Sequence, residues 1–211
     1  MNYDFYNVFV RQEFSSLMGN IDTIFELGAR NGLYTREIQH HYQPKQIFSF
    51  ECNPSSIDRC KNNISDVKTA SFHSVAVADY TGSIDFFQAD DCGNANDGSS
   101  SIFSLSKLNM KKVAVDCITL DDFCRAEEIT EIDLICADIE GAEVRAFTDQ
   151  QILHNTRYII TEVQINPHWK PECLTIVDLE NVICEYGFEK AAYIDGCGCA
   201  GDALYINRNI L

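Results

Sequence analysis

A chain of 211 residues, 45% of them hydrophobic and 23% charged, is large enough for one domain with a sizeable core and excludes wholesale disorder. Its 32 acidic against 16 basic residues leave a formal charge of -16, which argues against a nucleic-acid backbone or an anionic membrane surface as partner. There is no apolar run of about 18 residues, and the N-terminal MNYDFYNVFVRQEF lacks the basic and apolar regions of a secretory signal. The ten cysteines are scattered, several inside apolar segments, and are expected as free thiols in a reducing cytoplasm.

Phe5, Val8, Phe9, Phe14 and Leu17 recur at roughly helical spacing, predicting an N-terminal helix over 4–18, in a segment 1–20 packed on a main domain of 21–211. IDTIFEL then reads as a short apolar strand, followed by a helix from about Asn31 to His41. QIFSFE, residues 46–51, is a second strand. NPSSIDRCKNNI opens a helix with Asn53 as cap and Pro54 at the first helical position, and SFHSVAVAD is a third strand. This strand–helix alternation predicts a doubly wound, Rossmann-like α/β sheet with mostly parallel pairing.

The middle of the chain departs from that rhythm. TGSIDFF is a β-hairpin return after the Thr81–Gly82 turn, ADDCGNANDGSSS is a polar loop, and KVAVDCITL is a strand leading to a short helix from Asp121. The alternation resumes with the strand IDLICAD, the helix start GAEVRAF and the strand RYIITEVQ. CLTIVDLENVICEYG is a helix ended by Gly187, and FEKAAYI and DALYINR form a final pair with an antiparallel C-terminal strand. DGCGCAGD is a glycine-rich turn between those strands, because Cys197 and Cys199 have no second pair at metal-finger spacing.

TIFELGARNGLYTREI carries Gly28 and Gly32 between the first strand and the first helix. Glycines there permit a tight turn and close ligand approach, and the helix N-terminus favours a polar or anionic group. A G-x-G-x-x-G pyrophosphate cradle does not fit, since position 30 is Arg and no third glycine follows. Glu51 lies at the tip of the second strand, 19 residues after Gly32. In a doubly wound sheet that tip borders the same crevice, where a carboxylate accepts from both hydroxyls of a ribose. Turn and acid together indicate a nucleoside site, its nucleoside bearing an amino-acid tail rather than a second nucleotide.

FELGARNGLYTREI, FSFECNP, VAVADYTGSIDF, ITLDDF and LICADIEGAEVRAF occur in the order seen in FkbM-type methyltransferases, and over roughly residues 21–207 the chain resembles that family. The resemblance implies a class I methyltransferase sheet, S-adenosylmethionine as cofactor and O-methylation of hydroxyls on sugars or natural products. Glu26 stands where the family usually has Asp, and Arg30 is bulkier than the residue common at its position. The resemblance places Glu26, Gly28, Asn31 and Gly32 around the methionine tail, Glu51 and Asn53 at the ribose, and Ser74, Val75 and Ala76 near the adenine. Asp138 would border the cofactor crevice, with Asp138 and Glu140 serving the transfer step. Glu143 suits the start of a helix.

Glu162 is expected at or near the next strand tip, followed by Asn166 and His168. Glu162 or His168 is an alternative general base. Asp138, Glu162 and Asn166 are an oxygen set suited to a hard cation, though a metal-free site is favoured. Residues 89–110, with GSSSIFSL, would cover the acceptor, by analogy with the family. The expected partner is a hydroxylated small molecule or glycan, with neither nucleic acid nor membrane, and the chain is compatible with a homodimer. The rival readings are a nicotinamide-dependent oxidoreductase and a methyltransferase-fold binding module without chemistry.

Overall fold

The computed structural model describes residues 7–89, 97–104, 109–166, 174–196 and 198–211. Among the described residues, ten strands form two sheets. The larger has the order β3-β2-β1-β7-β8-β10-β9, built from β1 (Thr23–Leu27), β2 (Gln46–Phe50), β3 (Ala70–His73), β7 (Ile132–Ala137), β8 (Thr156–Gln164), β9 (Phe188–Asp195) and β10 (Ala200–Asn207). Pairing is parallel from β3 through β8, and β10 runs antiparallel between β8 and β9. The smaller sheet, β4-β6-β5, holds β4 (Ala76–Val77), β5 (Gly82–Ala89) and β6 (Met110–Ile118).

The alternation of β1 divides the core. Phe25 and Leu27 face a cluster with Phe50, Ile135 and Ile159, joined by α4 (Leu120–Ala126), α5 (Glu143–Phe147) and α6 (Ile176–Ile183). Ile24 faces the opposite cluster with Ile47, Leu134 and Ile160, covered by Ile38 of α2 (Leu33–Tyr42) and by Phe9 and Phe14. α3 (Ile57–Ile64) packs Cys60 and Ile64 beneath Ala29. Strand order, parallel core and antiparallel C-terminal strand are those of the expected doubly wound sheet.

Three local expectations are corrected. Among the described residues the N-terminal segment is a 3-10 turn, Val8–Val10, and the short helix α1 (Gln12–Ser15), separated at Arg11 by extended backbone (φ -65°, ψ 139°). Phe9 and Phe14 are five residues apart, hence about 140° apart on a continuous helix. The break lets both enter one core cluster.

The third predicted strand divides after His73. Residues 70–73 extend the large sheet beside β2, whereas Ala76 and Val77 pair with Cys117 and Ile118 of β6. β5 accordingly returns along β6 rather than along β3. The helix after β2 begins at Ile57 rather than Pro54. The Asn53 carboxamide accepts from Ser55 N (3.1 Å) and Ser55 Oγ (2.8 Å), holding residues 54–56 as a turn ahead of α3.

The cysteines Cys52, Cys60, Cys117, Cys124, Cys136, Cys184 and Cys199 are free, and burial pushes the Cys60 and Cys124 thiols up to about 12. No helix among the described residues is long and apolar enough to cross a membrane.

Candidate functional site

The turn after β1 is fastened to the strands on either side. Gly28 N and Ala29 N both donate to Phe50 O (3.0 and 2.8 Å), and Asp138 N donates to Leu27 O (3.0 Å). Gly28 adopts φ +88°, and a Cβ there would lie 2.1 Å from the Asp138 carbonyl oxygen. Gly32 adopts φ +76°, and its Cβ would meet Ile64 at 2.6 Å and the Cys60 carbonyl at 3.2 Å. The glycines therefore let β7 and α3 approach, instead of clearing space for a ligand. Gly32 is not among the cavity-lining residues, which corrects its expected place at the cofactor tail.

A cavity of about 540 Å³ opens over this turn. Leu27 to Asn31 form its floor, with Leu33 and Tyr34 from the first turn of α2. The β2 tip contributes Glu51, Cys52 and Asn53, and the β7 tip contributes Asp138, Ile139 and Glu140. Val75, Ala76 and Phe86 from the small sheet and Gly98, Ser100 and Ile102 complete the wall.

Glu51 stands at the β2 tip as expected, 8% exposed. Its Oε2 accepts from Arg30 N (2.7 Å) and its Oε1 from Asn53 N (2.6 Å). These bonds hold the carboxylate at the cavity wall. Asn53 is buried and lines the cavity, but its side chain also organises the surrounding protein. It donates to Ser100 Oγ (3.2 Å) and accepts from Gln88 Nε2 (2.7 Å) as well as from Ser55. Asn31 lines the floor and accepts from Leu33 N (3.2 Å), supporting the start of α2.

Glu26 is placed differently from the expectation. Strand alternation turns its side chain away from Phe25 and Leu27, into the layer below the turn, where it is 1% exposed and outside the cavity. Oε2 accepts from Thr35 Oγ1 (2.5 Å) and Ser49 Oγ (2.9 Å), while Oε1 is buried without a hydrogen-bond partner. Burial pushes its carboxyl up to about 7, against the opposing pull of the Thr35 and Ser49 hydroxyls.

Asp138 and Glu140 line the cavity together. The turn carrying them has two consecutive left-handed residues, Glu140 (φ 58°) and Gly141 (φ 96°). Such a conformation costs a non-glycine residue roughly 1–2 kcal/mol and is found at functional sites. The Glu140 carbonyl accepts from Ser101 Oγ (2.9 Å), tying the 97–104 segment to the β7 tip. Glu143 accepts from Ile139 N (3.0 Å), so its buried carboxylate holds the turn.

Val75 and Ala76 line the wall, whereas Ser74 is exposed and does not, because the chain leaves the large sheet at that point. Glu162 lies near the end of β8, one residue beyond Thr161, which pairs with Ala137 of β7, but it does not line the cavity. β8 continues to Gln164, and Glu162 pairs across to Asp202 of β10, outside the cavity-lining set. It accepts from Gln164 Nε2 (3.0 Å). Asn166 is exposed, its backbone N–H donating to Cys199 O (3.0 Å). His168 and Cys197 lie outside the described residues. Among the described residues no group of three His, Cys, Asp or Glu side chains is arranged to hold a metal ion. Between β9 and β10, Gly198 N donates to Asp195 Oδ1 (3.1 Å) and Gly196 N to Ala200 O (3.0 Å), as a glycine turn requires.

Tyr34, missed in the sequence, lines the same cavity as Asp138. Burial first, and then the charge of Asp138, raise its phenol above the ordinary range, while Arg30 acts in the opposite sense. Its place in the first helical turn after Gly32 was the signal available. Phe86, Ser100 and Ile102 carried no comparable signal, since they reach the cavity through the second sheet and the segment beyond it.

A family model described as the methyltransferase FkbM domain matches residues 26–190. The 2-O-methyltransferase NoeI of Sinorhizobium fredii (strain NBRC 101917 / NGR234) is 30% identical over 165 residues, covering 72% of this chain and 68% of that protein. Among solved structures, the N-methyltransferase NodS from Bradyrhizobium japonicum WM9 in complex with S-adenosyl-L-homocysteine superposes with TM-score 0.54 at 10% identity, covering 96% of this chain and 85% of that one. TrmK of M. capricolum, in complex with S-adenosyl-homocysteine, gives TM-score 0.53 at 10% identity over 96% of this chain and 68% of that one. At such identity the structural likeness is one of fold.

Proposed function

The chain belongs to the FkbM methyltransferase family, whose methyl donor is S-adenosylmethionine, and on that premise we propose that it methylates a hydroxyl of a sugar, glycan or small natural product. The observation that carries the choice of oxygen is the 30% identity over 165 residues to a protein named as a 2-O-methyltransferase. Family membership also favours methyl transfer over the nicotinamide-dependent reading.

The residues present fit the donor. A cavity of about 540 Å³ lies within the range of roughly 300–1,000 Å³ usual for small-molecule sites. Glu51 would meet the ribose hydroxyls, while Val75, Ala76, Phe86 and Ile102, which line the same cavity, would offer an apolar end for the adenine. The Gly28–Asn31 turn and the α2 N-terminus would take the polar tail. When bound, the donor supplies a methyl made electrophilic by its attachment to a positively charged sulfur.

The chain's own task is to hold both reactants and to take a proton. A hydroxyl is a weak nucleophile at neutral pH, and a placed base contributes about 10²–10⁴-fold. Asp138 is that base in this reading, because it lines the donor cavity from the tip of the strand beside β1. Glu140, on the same turn, orients the acceptor. The acceptor is a hydroxylated small molecule or glycan, encountered in the cytoplasm. The formal charge of -16 disfavours nucleic acid as substrate.

The test is transfer from methyl-labelled S-adenosylmethionine to a panel of saccharides and hydroxylated aromatics, with NMR locating the labelled carbon. A methyl bound to oxygen supports the reading, and one bound to nitrogen overturns it. Calorimetric binding of NAD with none of S-adenosylhomocysteine would return the protein to the nicotinamide class. Donor binding without transfer across the panel would identify a binding module.

A further inference from the structure

Residues 97–104 complete the cavity wall, and two neighbouring serines fasten that segment in different directions. Ser100 Oγ accepts from Asn53 Nδ2 (3.2 Å) and Ala89 N (3.0 Å), which joins the wall to the β2 tip and the end of β5. Ser100 and Ile102 line the cavity, whereas Ser101 between them does not and is 1% exposed.

Every hydrogen-bonding group of Ser101 is engaged. Its backbone exchanges two bonds with Phe87, from Phe87 N to Ser101 O (2.8 Å) and from Ser101 N to Phe87 O (3.1 Å). Its Oγ accepts from Phe103 N (3.2 Å) and donates to Glu140 O (2.9 Å). A carbonyl only accepts, so the direction of that last bond is fixed. The Phe87 bonds already anchor the segment to β5. The bond to Glu140 acts beyond that anchorage, on the turn at the β7 tip.

Glu140 and Gly141 are the central residues of that turn, which Ala142 N closes by donating to Ile139 O (3.4 Å), and both have positive φ (58° and 96°). Two consecutive positive-φ residues are the mark of a type I′ turn, where glycine, asparagine and aspartate are the residues that fit best. Glutamate is not one of them. The carbonyl that Ser101 engages belongs to the peptide between Glu140 and Gly141. Glycine accepts either sign of φ, so without an outside partner this peptide is free to rotate. Glu140 is part of it and Asp138 lies shortly before it, and both line the cavity.

We infer that Ser101 is a positioning residue for methyl transfer. Its hydroxyl holds the central peptide of the Glu140–Gly141 turn in the orientation that presents Asp138 and Glu140 to the cavity. This rests on the proposed methylation of a hydroxyl with Asp138 as base, and adds the group that keeps the turn in place. Since Ser101 sits between two cavity-lining residues, a displacement of the wall is passed directly to the transfer turn.

The test uses the full chain and the panel compound that accepts methyl fastest. Ser101→Ala removes the hydroxyl and keeps both Phe87 bonds possible. Its kcat should fall about 10- to 100-fold, the scale of a reacting group misplaced by about an ångström. Calorimetric affinity for S-adenosylhomocysteine should stay within about threefold, as expected for a side chain outside the cavity lining. Ser101→Cys has a similar volume and a weaker donor, and its kcat should lie between the two. With aspartate labelled at its carboxyl carbon, NMR should show Asp138 titrating at a different pH in Ser101→Ala than in the unmodified chain. A mere loss of stability would not move that titration.

An unchanged kcat in Ser101→Ala, or an unchanged Asp138 titration, would overturn the inference. A loss of kcat matched by an equal loss of S-adenosylhomocysteine affinity would also overturn it, and make Ser101 a support for the cavity wall. If Ser101→Ala does not fold, Ser101→Cys decides, and turnover equal to that of the unmodified chain overturns the inference. Transfer by the unmodified chain to no member of the panel would instead remove the methylation reading, and with it the step that Ser101 serves, so the two failures are distinct.

Discussion

Two carboxylates adjoin the glycine turn, one below it and one above, and their surroundings differ. Glu26 lies in the packed layer under the turn, with hydroxyl donors on one oxygen and none on the other, and burial raises its carboxyl to about 7. Glu51 lies above, at a strand tip, and accepts backbone N–H groups on both oxygens at the wall of an open cavity. Backbone N–H donors favour a charged carboxylate, whereas burial with few donors favours the neutral acid. Two acids of similar sequence setting thus divide into one inside the packed layer and one at the cavity wall, according to the layer each enters.

The substitution that would break this comparison most severely is at the turn itself. Gly28→Ala adds a Cβ 2.1 Å from the Asp138 carbonyl at φ +88°, and should cost about 4 kcal/mol, combining left-handed strain with overpacking. Urea denaturation measures the loss, and a variant of normal stability would show that β7 does not press on the turn as described.

The next effect isolates the lower carboxylate. Its folded value of about 7 lies above the ordinary 4.5, so the neutral form is favoured by folding. The associated stability is fully present below about pH 4.5 and is lost as pH rises through about 7. A shift of that size corresponds to on the order of 3 kcal/mol. Asp202, raised to about 6 by burial and only partly offset by Arg11, slopes the same way, so the informative quantity is a difference between proteins. Glu26→Gln, which mimics the neutral acid, should become more stable relative to the unmodified chain as pH increases across that window. Parallel pH profiles would mean that Glu26 stays ionised.

Above the turn, Asp138→Asn should leave the melting temperature within a few degrees, since a half-buried tip residue is expected to change stability by under about 1 kcal/mol. Methyl transfer should fall about 100-fold or more, the usual scale for a lost general base. Normal turnover would dismiss Asp138 as the base. Glu162 would be a poor replacement, because it lies outside the cavity lining. Glu51→Ala is expected to weaken donor binding by about 1–3 kcal/mol, through ribose hydroxyls left without an acceptor. An unaltered calorimetric affinity would take Glu51 out of donor binding and erase the distinction from Glu26.

What the sequence determined by itself is what local pattern controls. Apolar runs alternating with helical spacing led to a parallel doubly wound sheet, and in such a sheet the loops after β1, β2 and β7 converge at one edge. Gly28, Glu51, Asp138 and Glu140 could be placed there because each lies at or beside a strand end. Strand alternation also held the clue to Glu26, since it shares the parity of Ile24 and not of Phe25, but only the packed layers reveal which parity faces the cavity. The need for glycine at position 32 came from α3, the exit of Ser74 from the site came from β4 joining β6, and the closing wall came from residues 98–102. These are contacts between segments far apart in the chain, decided by which surfaces bury one another, and no periodicity within a short window records them.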